Sequence, residues 1–147
     1  MGAYTTFLYY YLPASAEAST TGLPLFNAAF EATDGVIHGQ IQHHTADDAL
    51  TEVESRKFHT NLGASGTVVL TLPQSVTAGL LFHFIVLETF ELRIDPGAAG
   101  AIYISGAKQT DDKYITANAI NESITVVSIG SGDWSVFSPI GTWTVEA

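Results

Sequence analysis

From about residue 67 to the end, the chain is a succession of short runs rich in Val, Ile, Phe, Tyr and Thr. Gly, Asp, Asn and Pro separate them at intervals of roughly 8–12 residues. That rhythm is too short for strand–helix–strand units and suits a sandwich or barrel. Strands are predicted over 67–72, 80–87, 90–94, 101–105, 113–117, 123–129, 133–138 and 142–145. The stretch "GSGDW", Gly130 to Trp134, reads as a tight hairpin connection, because Gly and Asp accept the positive φ such turns need. "DPGAAG", Asp95 to Gly100, is a second, looser turn.

The predicted strands differ in how much cover they need. In "LLFHFIVL" both alternating faces are apolar, with Leu80, Phe82, Phe84 and Val86 on one and Leu81, His83, Ile85 and Leu87 on the other. A strand with one face in water shows a polar side, so this one is expected to be covered on both. "SITVVSI" alternates more cleanly, Ile124, Val126 and Ser128 opposing Thr125, Val127 and Ile129. Composition points the same way. Charged residues are 14% of the chain against about 25% in an ordinary domain, and hydrophobic residues are 46%. Such a chain is expected to bury surface against copies of itself or a partner, and Phe82, His83 and Phe84 are the candidate subunit-interface residues. The net charge of −10 repels phosphate backbones and anionic headgroups, so neither nucleic acid nor membrane is an expected partner.

The first 49 residues have another texture. Four of the six tyrosines fall within the first eleven positions; Tyr4, Tyr9, Tyr10 and Tyr11 are interleaved with Phe7, Leu8 and Leu12. "PASAEASTTGLP" follows as a small, polar, Pro/Gly-bounded spacer, and Phe26 and Phe30 anchor the segment after it. Tyrosine and phenylalanine bury large areas at low entropic cost, so residues 1–49 are read as an arm that docks on another surface, and 50–147 as the β-sandwich domain. The other reading is that the arm adds strands to its own sandwich. "TADDALTEVESRKF" admits either a helix of two to three turns, started by Thr45, or an extended entry to the sandwich. The N-terminus lacks the charged region of a signal peptide, and no apolar run reaches the ~18 residues of a membrane span.

Constellations for chemistry are sparse. There is no cysteine. "HHTADD" sets His43 and His44 beside Asp47 and Asp48, a mixed nitrogen and oxygen set. Neighbours in a strand point apart, however, and acids here cap turns, so no metal is assigned. Gly63-Ala64-Ser65-Gly66 has the wrong spacing for a nucleophile elbow, and no Walker, zincin or dinucleotide fingerprint occurs. Asp111 and Asp112 read as solvated loop acids. The expectation is a protein that is not an enzyme and needs no cofactor.

Taken in order, "TNLGASGTVVLTLP", "AGLLFHFIV", "LRIDPGAAGAIYI" and "SITVVSIGSGDWSVFSPIGTWTV" resemble a β-domain found in structural proteins of tailed bacteriophages, in capsid decoration (cement) proteins, head fibres and tail-fibre modules. The likeness runs from about Glu52 to Val145. It implies an all-β, β-sandwich or jelly-roll-like domain behind an extended N-terminal arm, assembled as a homotrimer. It further implies a virion protein made in the host cytoplasm and carried on the capsid surface, with the major capsid protein as its partner. In that role the trimer stabilises the shell, and the arm residues would make the attachment. The alternative is a head- or tail-fibre module binding host glycan, with Tyr103, Tyr114, Trp134 or Trp143 stacking on sugar and Asp111, Asp112 or Asn118 taking hydroxyls. Core packing of a closing hairpin is the other role for the two tryptophans.

Overall fold

The computed structural model describes residues 40–74 and 77–147. The arm residues Tyr4, Phe7, Leu8, Tyr9, Tyr10, Tyr11, Leu12, Phe26 and Phe30 lie outside the described residues. What is described is all-β: twelve strands, one 3-10 turn and no α-helix. The strands are β1 (Ile41–His43), β2 (Asp48–Ala49), β3 (Phe58–Thr60), β4 (Val68–Thr71), β5 (Leu81–Ile85), β6 (Leu92–Asp95), β7 (Ile102–Ile104), β8 (Ala107–Lys108), β9 (Ile115–Ala117), β10 (Ser123–Gly130), β11 (Asp133–Ile140) and β12 (Thr144–Val145).

They form two mixed sheets, a seven-stranded one in the order β1-β3-β5-β10-β11-β7-β8 and a five-stranded one in the order β12-β9-β6-β4-β2. The first six strands alternate between the sheets. β1, β3 and β5 pair in parallel in one, while β2, β4 and β6 pair in parallel in the other. The chain therefore winds through three two-stranded coils before the later strands close the structure. The long β10–β11 hairpin completes the seven-stranded sheet, β10 against β5 and β11 against β7. Parallel neighbours need a crossover connection, and here the opposite sheet supplies it.

Both inner faces feed one core. Val68, Leu70, Leu92, Ile94 and Ile115 come from the five-stranded sheet, and Phe82, Phe84, Ile102, Val126 and Trp134 from the seven-stranded one. Alternation explains these choices, since every second residue of β4, β5, β6 and β10 is buried. The hairpin turns at Ser131 and Gly132, both with positive φ (59° and 80°), which matches the strand twist. A side chain at Gly100 would overlap the carbonyl oxygens of Gly132 and Pro96. Only glycine lets this hairpin rest on the Asp95–Gly100 turn.

Two expectations change. Residues 41–49, assigned to the arm, hold β1 and β2 and belong to both sheets. The segment after Thr45 is no helix of two or three turns. It is extended through β2 and then makes one 3-10 turn, Glu52–Glu54. The start of that turn is fixed by Glu54, whose Oε2 accepts from the Thr51 backbone N–H and hydroxyl, both at 2.7 Å. Within a single chain the two faces of β5 differ: Phe82, Phe84 and the following Val86 are buried, whereas Leu81, His83 and Ile85 are half-buried.

Asn61, in the turn after β3, joins the second coil to the third. It is completely buried. Its Oδ1 accepts from the amides of Leu87 (2.7 Å) and Glu88 (3.0 Å), and its Nδ2 donates to the Phe90 carbonyl (3.0 Å). One side chain thus satisfies three backbone groups of a neighbouring turn that no strand ladder reaches.

Candidate interaction surface

The two sheets differ on their outward faces. On the five-stranded sheet, the residues alternating with the core are Val69, Thr71, Arg93, Asp95, Thr116 and Thr144, polar but for Val69, and Arg93 pairs with Glu91 at 2.6 Å. Strand register on the seven-stranded sheet aligns Ile41, Phe58, His83, Thr125 and Phe137 in one row across five strands. Leu81, Val127, Ser135 and Tyr103 form a second row, with Lys108 at its end.

A bulge enlarges this face. Between Thr125↔Phe137 and Ser123↔Ile140, β10 advances two residues and β11 three, and Ser138 takes a positive φ of 49°. The extra residue brings Ile140 to the same side as Phe137. Phe137 is 64% exposed, Ile140 61%, Ile41 61% and Ile129 49%. Isolated exposed apolar residues are ordinary, but aligned rows of them on one sheet mark an interaction site.

The centre of the face carries no charge at neutral pH. His83 stacks on Phe58 (4.8 Å, 24°) and shares a hydrogen bond with Thr125 Oγ1 at 2.9 Å. Burial pushes its pKa below the ordinary histidine value. At the rim Lys108 bonds Asp133 at 3.0 Å. That lysine hydrogen bond holds the Asp133 carboxyl below its usual range.

The three interface candidates separate by strand parity. Phe82 and Phe84 point inward and are fully buried in the chain's own core, so His83 alone lies on a face another chain can reach. The sugar-stacking candidates are dispersed. Trp134 is enclosed and meets Phe82 edge-on at 5.6 Å. Trp143 is half-buried, its Nε1 donating to the Ser123 carbonyl at 3.2 Å. Tyr114 lies under Arg93, and Tyr103 belongs to the other sheet, with Lys108 over its ring. Asp111 and Asp112 are exposed loop acids, and Asn118 gives its amide to Glu122. Glu122 also accepts from Ala119 and Thr142. These backbone bonds, Thr142's foremost, lower its pKa and make it a turn-fixing acid.

The histidine–aspartate cluster is likewise used internally. His43 bonds Thr60 Oγ1 at 2.7 Å, Asp47 accepts from the Val69 amide at 2.8 Å, and His44 turns inward to His59. Among the described residues no three His, Asp or Glu side chains converge as metal ligands. None of their helices is long and apolar enough to cross a membrane.

The class is thus an all-β protein of two mixed sheets around a shared core, with one polar and one apolar outward face. No protein family matches the chain, and no curated protein matches it.

Proposed function

We propose that this chain is a structural protein of a bacteriophage virion, a capsid decoration protein that assembles as a homotrimer on the head and stabilises the shell. The observation that carries the reading is the uncharged apolar face of the seven-stranded sheet, with Ile41, Phe58, His83, Val127, Phe137 and Ile140. A chain of net charge −10 is kept from its own copies by repulsion over most of its surface. On this face the repulsion is least and the apolar gain greatest, at about 25 cal/mol per Å² buried. The resemblance of residues 52–145 to phage head modules supplies the context, and the Tyr-rich N-terminal segment supplies a further contact to the major capsid protein.

Shell stabilisation then follows from mass action. A trimer that binds only the assembled, expanded geometry of the capsid raises the cost of disassembly in proportion to the logarithm of its occupancy. The test mixes full-length protein with heads of the phage that encodes it, lacking the decoration protein. Co-sedimentation and a raised melting temperature of the heads are expected. Protein that stays in the supernatant at micromolar concentration contradicts the proposal.

A further inference from the structure

A chain of three side chains in polar contact lies away from that face, where the first coil meets the second. Asp48 Oδ2 is 3.2 Å from His44 Nδ1, and His44 Nε2 is 3.0 Å from His59 Nδ1. Both histidines are buried, whereas Asp48 is half exposed. The His59 ring packs against Phe82 and Phe84, at 5.7 and 5.5 Å, and its Nε2 is enclosed without a hydrogen-bond partner.

Each of these contacts needs one donor and one acceptor. A carboxylate only accepts, so His44 carries its hydrogen on Nδ1 and a neutral His44 accepts at Nε2. His59 must then donate from Nδ1, which leaves its Nε2 as a bare lone pair. Among phenyl rings that is the tolerable state, because an N–H there would be a buried donor set mainly against apolar carbon.

The fold gives this chain something to hold. Among the described residues β1 and β2, the first coil, are the edge strands of the seven- and five-stranded sheets, each paired there on one side. They are three and two residues long. Backbone bonds from His44 to Thr60 and from Leu50 to Thr71, both 2.8 Å, add to their pairing. The coil can therefore leave both sheets without breaking any pairing among the other strands.

We propose that the Asp48–His44–His59 chain is an acid-sensitive latch that fastens the first coil to the rest of the sandwich. A proton taken up by the pair breaks the pattern whichever ring receives it. If His44 gains it, Nε2 becomes a donor, and His59 must move its own hydrogen to the enclosed Nε2. If His59 gains it, the same N–H appears there together with a charge.

The groups around the pair do not remove this penalty. A charged His44 and Lys57 oppose the His59 cation, whereas Glu54 of the 3-10 turn favours it through both its carboxylate and its backbone. Asp47, just before β2, is engaged with the Val69 amide, and His43 with Thr60. On β1 the Gln42 Oε1 is itself buried without a partner, and β5 presents only the two phenyl rings. Glu52 is the remaining acid of that turn. Burial outweighs the rest and holds the His59 pKa down at about 4. Since the ordinary value is higher, the latch is at full strength above about pH 6.5 and weakens as pH falls towards 4.

The test is amide hydrogen exchange by NMR on the full chain at pH 7.0 and 4.5, with each rate corrected to a protection factor. At the lower pH, protection of His44 and Leu50 is expected to fall on the order of fiftyfold, while Val126 in β10 keeps its protection. In His59→Gln, whose amide bonds but does not titrate, the first coil is expected to respond far less to pH. The wild-type ring titration gives a second readout that needs no variant: the midpoint of His59 should coincide with the midpoint of the first coil's loss. Unchanged protection of His44 and Leu50 overturns the latch. Equal loss at Val126 overturns it too, as does an undiminished pH response in His59→Gln.

Discussion

Asn61→Leu is expected to destabilise the protein by about 3–5 kcal/mol, measured by urea denaturation. The substitution nearly preserves volume, so packing is not what is lost. The loss is the partner of the Leu87 and Glu88 amides and of the Phe90 carbonyl, in a turn with no ladder to replace it. Each unmet buried group costs about 1–3 kcal/mol. Asn61→Asp should destabilise as well, because a carboxylate still accepts from both amides but buries a charge and sets an oxygen against the Phe90 carbonyl. If leucine is tolerated within about 1 kcal/mol, Asn61 is not the tie between the second and third coils.

Trp134→Ala is expected to cost a similar ~3–5 kcal/mol, for a different reason. Trp134 opens β11, pairs with Ile102 of β7 and fills the centre of the core against Phe82. Its removal leaves a cavity that two rigid sheets cannot close. The indole N–H is buried without a partner, so hydrogen bonding contributes nothing that phenylalanine would forfeit. Trp134→Phe should therefore cost only about 1 kcal/mol in the same experiment. A phenylalanine variant as unstable as the alanine one would show that the indole nitrogen matters more than the ring volume.

These two residues mark what the sequence makes legible. Trp134 belongs to one of eight strands readable from alternation and turn spacing, and all eight occur within a few residues of their expected limits. The hairpin at Ser131 and Gly132 is equally visible, because positive φ has few suppliers. Asn61, by contrast, looks like any turn residue in "TNLGASG". Its partners lie more than twenty residues away, and neither periodicity nor propensity reports a side chain that bonds backbone at that separation. Parallel winding was hidden for a related reason. Alternation shows which side chains share a face but not which strand lies alongside, and β1, β2, β3 and β8 are only two or three residues long. The two faces of β5 were separable by parity. Both are apolar, though, so only packing reveals that Phe82 and Phe84 turn inward while His83 faces outward. For β11, a one-residue bulge at Ser138 moves Ile140 to the outer face, where strict alternation would have placed it inside.

Sedimentation equilibrium of the full-length chain beside a Phe137→Glu, Ile140→Glu double variant tests most directly whether the outer face of the seven-stranded sheet is covered by another copy. Both substituted residues are more than half exposed, so the variant should melt at nearly the wild-type temperature. The expected masses are a trimer for the wild type and a monomer for the variant, because carboxylates desolvated against an apolar partner oppose assembly. A wild-type chain that sediments as a monomer, or a variant that still forms trimers, would contradict self-association through this face.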